Sequence, residues 1–131
     1  MQEAKLLPVK VAGRRRWRPY RPTSDGDMRA ALEWLDEKVG LPVVRFHSSR
    51  PAWGERFLTN GLLLGSCRRE GLQAGIYVSR RHCKECVVDP LLALFHELAH
   101  AWDPLFSEAD CHFFAAVWFD EYTSERKVLD V

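Results

Sequence analysis

The run from Leu91 to Trp102 is almost wholly apolar, yet it holds two histidines four residues apart, His96 and His100, with Glu97 between them. On an α-helix, residues four apart lie about 40° apart around the axis and about 6 Å apart along it. Both imidazoles can then reach one zinc ion at the roughly 2.0–2.1 Å of a zinc–nitrogen bond. Burying these groups without partners would be costly. We therefore predict a helix here that binds zinc through His96 and His100.

Glu97 follows His96 directly, where its carboxylate can touch a zinc-bound water without binding the metal. Zinc lowers the pKa of such a water and polarises a substrate carbonyl. A carboxylate in this position can take the proton of the attacking water and return it to the leaving amine. The spacing thus predicts a hydrolase with Glu97 as its catalytic base and acid. The rival hypothesis is a non-catalytic protein that is stabilised by zinc and acts by binding a partner, although such a site has no use for Glu97.

A catalytic zinc usually has three protein ligands and one open position, so one more nitrogen or oxygen donor is needed. Four residues downstream are candidates. They are Glu108, His112, Asp103 and Asp110, and His112 is also a candidate for a hydrogen-bonding support of the site. Helix-terminal acids also have an ordinary structural use, because they cap free amides and favour the helix dipole.

Capping signals place three helices. Ser24 with Asp27, Asp89 with Pro90, and Ser107 with Asp110 are typical helix starts. The predicted helices run from Ser24 to Val39, from Pro90 to Trp102, and from Ser107 onward, the last with the buried stripe Cys111, Phe114, Ala115, Trp118 and Tyr122.

Strand signals lie between the first two helices. We predict strands at Val43–His47, Phe57–Thr59, Leu62–Cys67 and Gly75–Ser79, with turns at Asn60-Gly61 and Glu70-Gly71. Asn-Gly is the strongest short signal for a hairpin. The fold class expected is therefore α+β: a compact, zincin-like domain with a small mixed sheet of three or four strands, an N-terminal helix, the metal-binding helix and a C-terminal ligand helix.

The run His96–His100 followed by Glu108–Ala116 resembles the ImmA/IrrE family of zinc metallopeptidases, over about residues 24–122. The resemblance implies a zincin peptidase with Glu108 as the third zinc ligand and a protein substrate, such as a transcriptional repressor. It also implies that Gly75–Ser79 is the edge strand along which zincins hold a peptide. Tyr77 or His112 would then assist. His112 stands where the family has asparagine.

The alternative peptidase is a SprT-like protease acting near DNA, with His112 as third ligand. Its phosphate contacts would come from Arg14–Arg21, a basic and aromatic run within a predicted extended arm of residues 1–22. Such a run can grip nucleic acid, but is more often a solvated face. Residues 23–131 form the predicted zincin-like domain.

Two interpretations of the four cysteines are possible. Cys83 and Cys86 form a CxxC pair, and Cys67 and Cys111 lie elsewhere, so together they are candidates for a second, structural zinc. A single CxxC is a weak metal signal. Otherwise these are free thiols, with the pair in the loop before the metal-binding helix.

Composition excludes several classes of protein. The chain has 131 residues, 47% of them hydrophobic, and a formal net charge of +1, so it suits one domain and is not a general polyanion binder. No stretch approaches the roughly 20 apolar residues of a membrane span. The first residues lack a secretory apolar core, so we expect a cytoplasmic protein with reduced cysteines and no membrane partner.

Overall fold

The computed structural model describes residues 20–51 and 64–129. The predicted hairpin at Asn60-Gly61, the strand Phe57–Thr59 and most of the predicted arm lie outside these residues. The described chain is an α+β arrangement of four helices and a small mixed sheet. In chain order the elements are α1 Asp25–Val39, β1 Val44–His47, β2 Gly65–Glu70, β3 Gln73–Val78, α2 Arg80–Cys86, α3 Pro90–Trp102 and α4 Glu108–Leu129.

Helix α1 begins at the predicted capping box. The Ser24 hydroxyl accepts from the Asp27 N–H at 3.0 Å, and the Ser24 N–H donates to the Asp27 carboxylate at 3.1 Å. The helix ends at Gly40, whose φ of 73° is the left-handed conformation that glycine adopts freely. Its buried face consists of Met28, Ala31 and Leu35, which are fully buried.

The sheet has the strand order β1-β3-β2, with β1 parallel and β2 antiparallel to β3. The expectation that Gly75–Ser79 is an edge strand is therefore wrong, because β3 is the central strand of the three. The turn at Gly71 folds β2 back along one side of β3, pairing Glu70 with Gln73, and the other side pairs with β1. Among the described strands, β1 and β2 lie at the edges.

Two strand boundaries also differ from the prediction. Strand β2 covers Gly65–Glu70 and so extends three residues beyond the predicted end at Cys67, and β3 begins at Gln73 rather than Gly75. The first two residues of the predicted strand Leu62–Cys67 lie outside the described part of the chain. The predicted Glu70-Gly71 turn explains the difference. With a turn this tight, β2 and β3 pair right up to its two ends. The charged residues Arg68 and Arg69 therefore belong to β2, although they are not the apolar residues from which a strand is predicted.

Helix α2 corrects the prediction that Cys83 and Cys86 lie in a loop. It starts at Ser79, whose hydroxyl accepts from the His82 N–H at 3.3 Å, and it ends at Val87 with a φ of 58°. Seven residues with few apolar side chains are too short to show a helical period. Tertiary burial of His82 and Cys83 supports this helix instead.

Helix α3 is the centre of the core. The Asp89 carboxylate accepts from the Leu91 N–H at 2.9 Å, which confirms the predicted Asp-Pro start. The sheet and α4 pack against α3, and the Phe95 ring lies 6.0 Å from the Trp34 ring and 6.5 Å from the Trp118 ring. Ten consecutive α3 residues, Pro90 through Ala99, are buried. A core helix of this kind gives the side chains it carries fixed positions.

Helix α4 begins at the predicted Ser107–Asp110 cap, in which the Ser107 hydroxyl accepts from the Asp110 N–H at 3.1 Å. The reciprocal bond, from the Ser107 N–H to the Asp110 carboxylate, measures 3.0 Å. The predicted stripe is buried at Cys111, Ala115, Trp118 and Tyr122, whereas Phe114 is half-buried.

Candidate metal centre

Three side chains from α3 and α4 converge where the two helices meet. Nε2 of His96 lies 3.0 Å from one carboxylate oxygen of Glu108, and Nε2 of His100 lies 3.0 Å from the other. One ligand atom from each residue falls within 4.8 Å of the others. Within residues 20–51 and 64–129, no other three histidine, cysteine or acidic side chains gather in this way.

The sequence builds this convergence locally. The helical spacing brings the His96 and His100 rings to a centroid distance of 5.2 Å. The short connection from α3 to α4 is held by the Asp103 carbonyl, which accepts from the Phe106 N–H at 3.0 Å. As the first residue of α4, Glu108 then faces back towards α3. The tight loop that the sequence requires is therefore present.

Burial differs sharply across the cluster. The His96 side chain is only 2% exposed, whereas that of Glu108 is 52% exposed. His100 lies between these extremes, at 17%. The cluster thus has a buried wall on α3 and a side that is open to solvent at the start of α4.

Glu97 is buried beside the cluster and is only 1% exposed. Its Oε1 atom has no hydrogen-bond partner in the described part of the chain. Such an atom is costly to bury unless another polar group meets it. Glu97 does not belong to the three-atom group, and its role as catalytic base stays a prediction.

His112 lies near the cluster but outside it. Its ring centroid is 6.0 Å from that of His96, and its buried Nδ1 has no hydrogen-bond partner in the described structure. Burial, with a smaller effect from His96, lowers the pKa of His112, and Glu108 partly opposes that shift. The imidazole is therefore neutral near neutral pH.

The remaining candidates for the third ligand have structural contacts of their own. The Asp103 carboxylate accepts from the Leu105 N–H at 3.0 Å, and Asp110 caps α4. Neither joins the three-atom group. Tyr77 does not fit the assisting role suggested for it, because alternation along β3 directs its side chain away from the face of Ile76 and Val78.

The cysteines do not form a metal site in the described structure, where no group of three ligand atoms includes a cysteine. None of the four forms a disulfide. Burial raises the pKa of the Cys83 thiol to about 12, and burial also raises that of Cys86. The geometry therefore gives no support to the predicted structural zinc of Cys67, Cys83, Cys86 and Cys111.

Sequence reasoning missed one residue at the site. Gly65, the first residue of β2, lies so close to α3 that an added Cβ would be 3.0 Å from Glu97 Cγ. Glycine in a strand often marks a close approach of another part of the chain. The glycine is visible in the sequence, but the segment that approaches it is determined by tertiary packing.

The described end of the basic arm contacts the domain. Tyr20 packs half-buried against the core, and Arg21 Nε lies 3.9 Å from the carboxylate of Asp89 at the start of α3. Arg14 to Arg18 lie outside the described residues, and so does any nucleic-acid contact by them. None of the described helices has the length and apolar character needed to cross a membrane.

Comparisons with known proteins gave no match: no family model fits the chain, and no curated protein or solved structure is significantly similar to it.

Proposed function

We propose that this protein is a zinc-dependent metallopeptidase whose metal is held by His96, His100 and Glu108. The observation that carries the proposal is the convergence of two imidazole nitrogens and a carboxylate on one point. Two histidines and a glutamate are the donor set of a known class of catalytic zinc sites, in which a fourth position stays open.

The separations fit a zinc ion. Donor atoms about 2.0–2.1 Å from a tetrahedral metal are about 3.3 Å from each other. The two distances from Glu108 to the histidines are each 3.0 Å, so small movements of the exposed carboxylate would suffice. The buried Glu97 Oε1, which has no hydrogen-bond partner among the described residues, also suits a site that holds water beside a metal.

The zinc, when bound, supplies a Lewis acid that polarises a peptide carbonyl and makes water nucleophilic near neutral pH. The Glu97 carboxylate accepts a proton from the water molecule as the water oxygen adds to the carbonyl carbon. The same carboxyl group then donates that proton to the amide nitrogen as the carbon–nitrogen bond breaks. The products are a carboxylic acid and an amine, and Glu97 returns to its ionised form.

The open side of the cluster favours catalysis over a purely structural metal. Structural zinc sites have four protein ligands and are closed to solvent, whereas catalytic sites keep one position free. Among the residues that the structure describes, the gathered set has three members, and the Glu108 side chain is half exposed. A peptide can therefore approach from the α4 side while the α3 side remains buried.

The substrate class follows from the family resemblance. We propose an ImmA/IrrE-type peptidase that acts on a protein, with a transcriptional repressor as the first candidate. The SprT-like alternative needs His112 as third ligand. The His112 ring lies 6.0 Å from the His96 ring and outside the cluster, whereas Glu108 meets both histidines, so we do not put that alternative forward.

The test combines zinc content with hydrolysis of a mixed library of quenched fluorescent peptides. The wild type should hold about one zinc per chain and cleave some library members, and a chelator should abolish cleavage. Glu97→Gln should keep the zinc but lose about 10²–10⁴-fold in turnover, the usual contribution of general acid–base catalysis. Glu33→Gln, an exposed carboxylate change on α1, is the matched control and should behave as the wild type.

Two results would count against the proposal. A protein that takes up no zinc would mean that Glu108 and the histidines form only a hydrogen-bonded ion-pair cluster. Equal turnover by the wild type and Glu97→Gln would remove Glu97 from the chemistry.

A further inference from the structure

Strand β2 passes unusually close to the buried carboxylate of α3. A Cβ atom built on Gly65 would lie 3.0 Å from Glu97 Cγ and 3.2 Å from Glu97 Oε2. It would also lie 3.1 Å from the backbone oxygen of Tyr77. Contacts this short are tighter than nine in ten of those that real Cβ atoms make. Any other residue at this position must therefore move Glu97, the strand, or both.

Backbone conformation does not explain the glycine. Among the described glycines, only Gly40 and Gly71 have positive φ angles, and both occupy turns or caps. Gly65 pairs with Val78 in regular antiparallel register. An alanine could adopt this backbone, so the missing side chain is needed for space alone.

We propose that Gly65 is a positioning residue, which lets the β2 backbone form the wall that fixes the Glu97 carboxylate. This inference rests on the proposed function, because it assigns the wall a role in proton transfer. Glu97 is almost fully buried, so displacing its Cγ shifts its carboxylate oxygens as well. A misplacement of about 1 Å can cost about 10²-fold in rate.

Gly75 provides a matched control within the same sheet. It is also a buried strand glycine, and an added Cβ would lie 2.5 Å from Glu70 Cδ. That contact is with the end of a side chain whose carboxylate lies 3.0 and 3.1 Å from Nε2 of His47. Gly75→Ala should therefore disturb this ion pair and cost some stability, but it does not touch Glu97. Gly75 and Gly65 face opposite sides of the sheet. Gly65 pairs with Val78 and so shares its face, and Val78 lies three residues after Gly75 on β3, which places it on the other face.

The first measurement is a double-substitution cycle on stability that does not depend on activity. Gly65→Ala should lower the Tm of the zinc-loaded protein by about 5 °C, a typical effect of overpacking in a domain of this size. In the Glu97→Ala background, which removes Cγ and the carboxylate, the same change should cost less than half as much. The contact with the Tyr77 backbone oxygen is present in both backgrounds, so the difference between the two losses of Tm measures the contact between residue 65 and Glu97.

The second measurement separates binding from turnover. Because the groups around Gly65 need to give by only a few tenths of an ångström, Gly65→Ala should lower kcat about tenfold, while zinc content and KM stay close to wild-type values. Gly75→Ala should leave kcat within about threefold of the wild type, since general acid–base placement is untouched. This comparison distinguishes a displaced carboxylate from a strand that is merely weakened.

Three outcomes would overturn the role of Gly65 in an active wild type. These are an unchanged kcat in Gly65→Ala, an equal loss of Tm in both backgrounds, and an equal loss of kcat in Gly75→Ala. If Gly65→Ala does not fold, Gly65→Ala with Glu97→Ala should fold, and failure of both would also overturn it. A wild type without zinc-dependent turnover would instead overturn the proposed function.

Discussion

Nε2 of His96 lies 3.0 Å from a carboxylate oxygen of Glu108, across the junction between α3 and α4. A buried imidazole on the central helix therefore meets a half-exposed carboxylate at the first residue of the next helix. Packing in the core fixes the position of α3, whereas the position of Glu108 depends on the short loop between α3 and α4 and on the Ser107 cap.

This relationship predicts unequal effects at the two candidate third ligands. Glu108→Ala removes a carboxylate that contacts both histidines, whereas His112→Ala removes a ring outside the cluster. We expect His112→Ala to weaken zinc binding by at most about 10–100-fold, as a supporting group does, and Glu108→Ala to weaken it further. Competition with a chromophoric chelator measures both affinities. A larger loss in His112→Ala would favour His112 as the ligand.

Zinc should stabilise the fold through His96. A ligand that binds only the native state raises stability by about 4 kcal/mol at 1,000 times its Kd. Added zinc at that concentration should therefore raise the Tm of the metal-free wild type by about 10–20 °C. His96→Ala should show little or no rise, and so should His100→Ala. A similar rise in all three proteins would show that the added zinc binds elsewhere.

The thiols of α2 should differ in reactivity. The thiolate is the reactive form, so a raised pKa leaves a thiol protonated and inert below that pKa. Because the pKa of Cys83 is about 12 and the side chain is buried, native protein at pH 8 should resist alkylation there. Cys86 is half-buried and should be modified first. Peptide mass spectrometry after timed alkylation gives the order, and prior modification of Cys83 would contradict the packing of α2.

The same cysteines should be dispensable for the metal. Cys83→Ser with Cys86→Ser should keep about one zinc per chain, because neither sulfur belongs to the described ligand group. Zinc content of the folded double variant measures this. A folded variant that has lost its zinc would place the thiols in the metal site.

Asp89 should stabilise the start of α3, the helix that carries His96 and His100. Asp89→Ala removes the hydrogen bond to the Leu91 N–H, and loss of such a cap typically costs about 1 kcal/mol. The ion pair with Arg21 should add little, since the Arg21 side chain is 69% exposed. We therefore expect a Tm lowered by about 3–5 °C for Asp89→Ala and a smaller change for Arg21→Ala. Equal losses would show that the ion pair carries the effect.

Features set by local sequence were predictable. The starts of α1, α3 and α4 follow from caps within four residues, and helical spacing alone brings His96 and His100 together. Glu108 could be predicted as a candidate ligand because it begins the next helix after a short loop. The family resemblance added the role of third ligand, which stays a proposal.

Features set by distant contacts were not predictable. Strand β3 is central because β1 pairs with its free side, and residue pattern within β3 does not reveal that pairing. Helix α2 is short and depends on burial of His82 and Cys83 against other elements. The approach of Gly65 to Glu97 joins segments 32 residues apart, so the sequence shows the glycine without its neighbour.

The most direct test of the central claim is X-ray absorption at the zinc edge of the zinc-loaded wild type. The account predicts two imidazole nitrogens and carboxylate or water oxygens at about 2.0–2.2 Å, with no sulfur at about 2.3 Å. Bound zinc, and with it the imidazole signal, should be largely lost in His100→Ala, whereas both should persist in Cys83→Ser with Cys86→Ser. A spectrum dominated by sulfur, or a protein that retains no zinc to measure, would contradict the account.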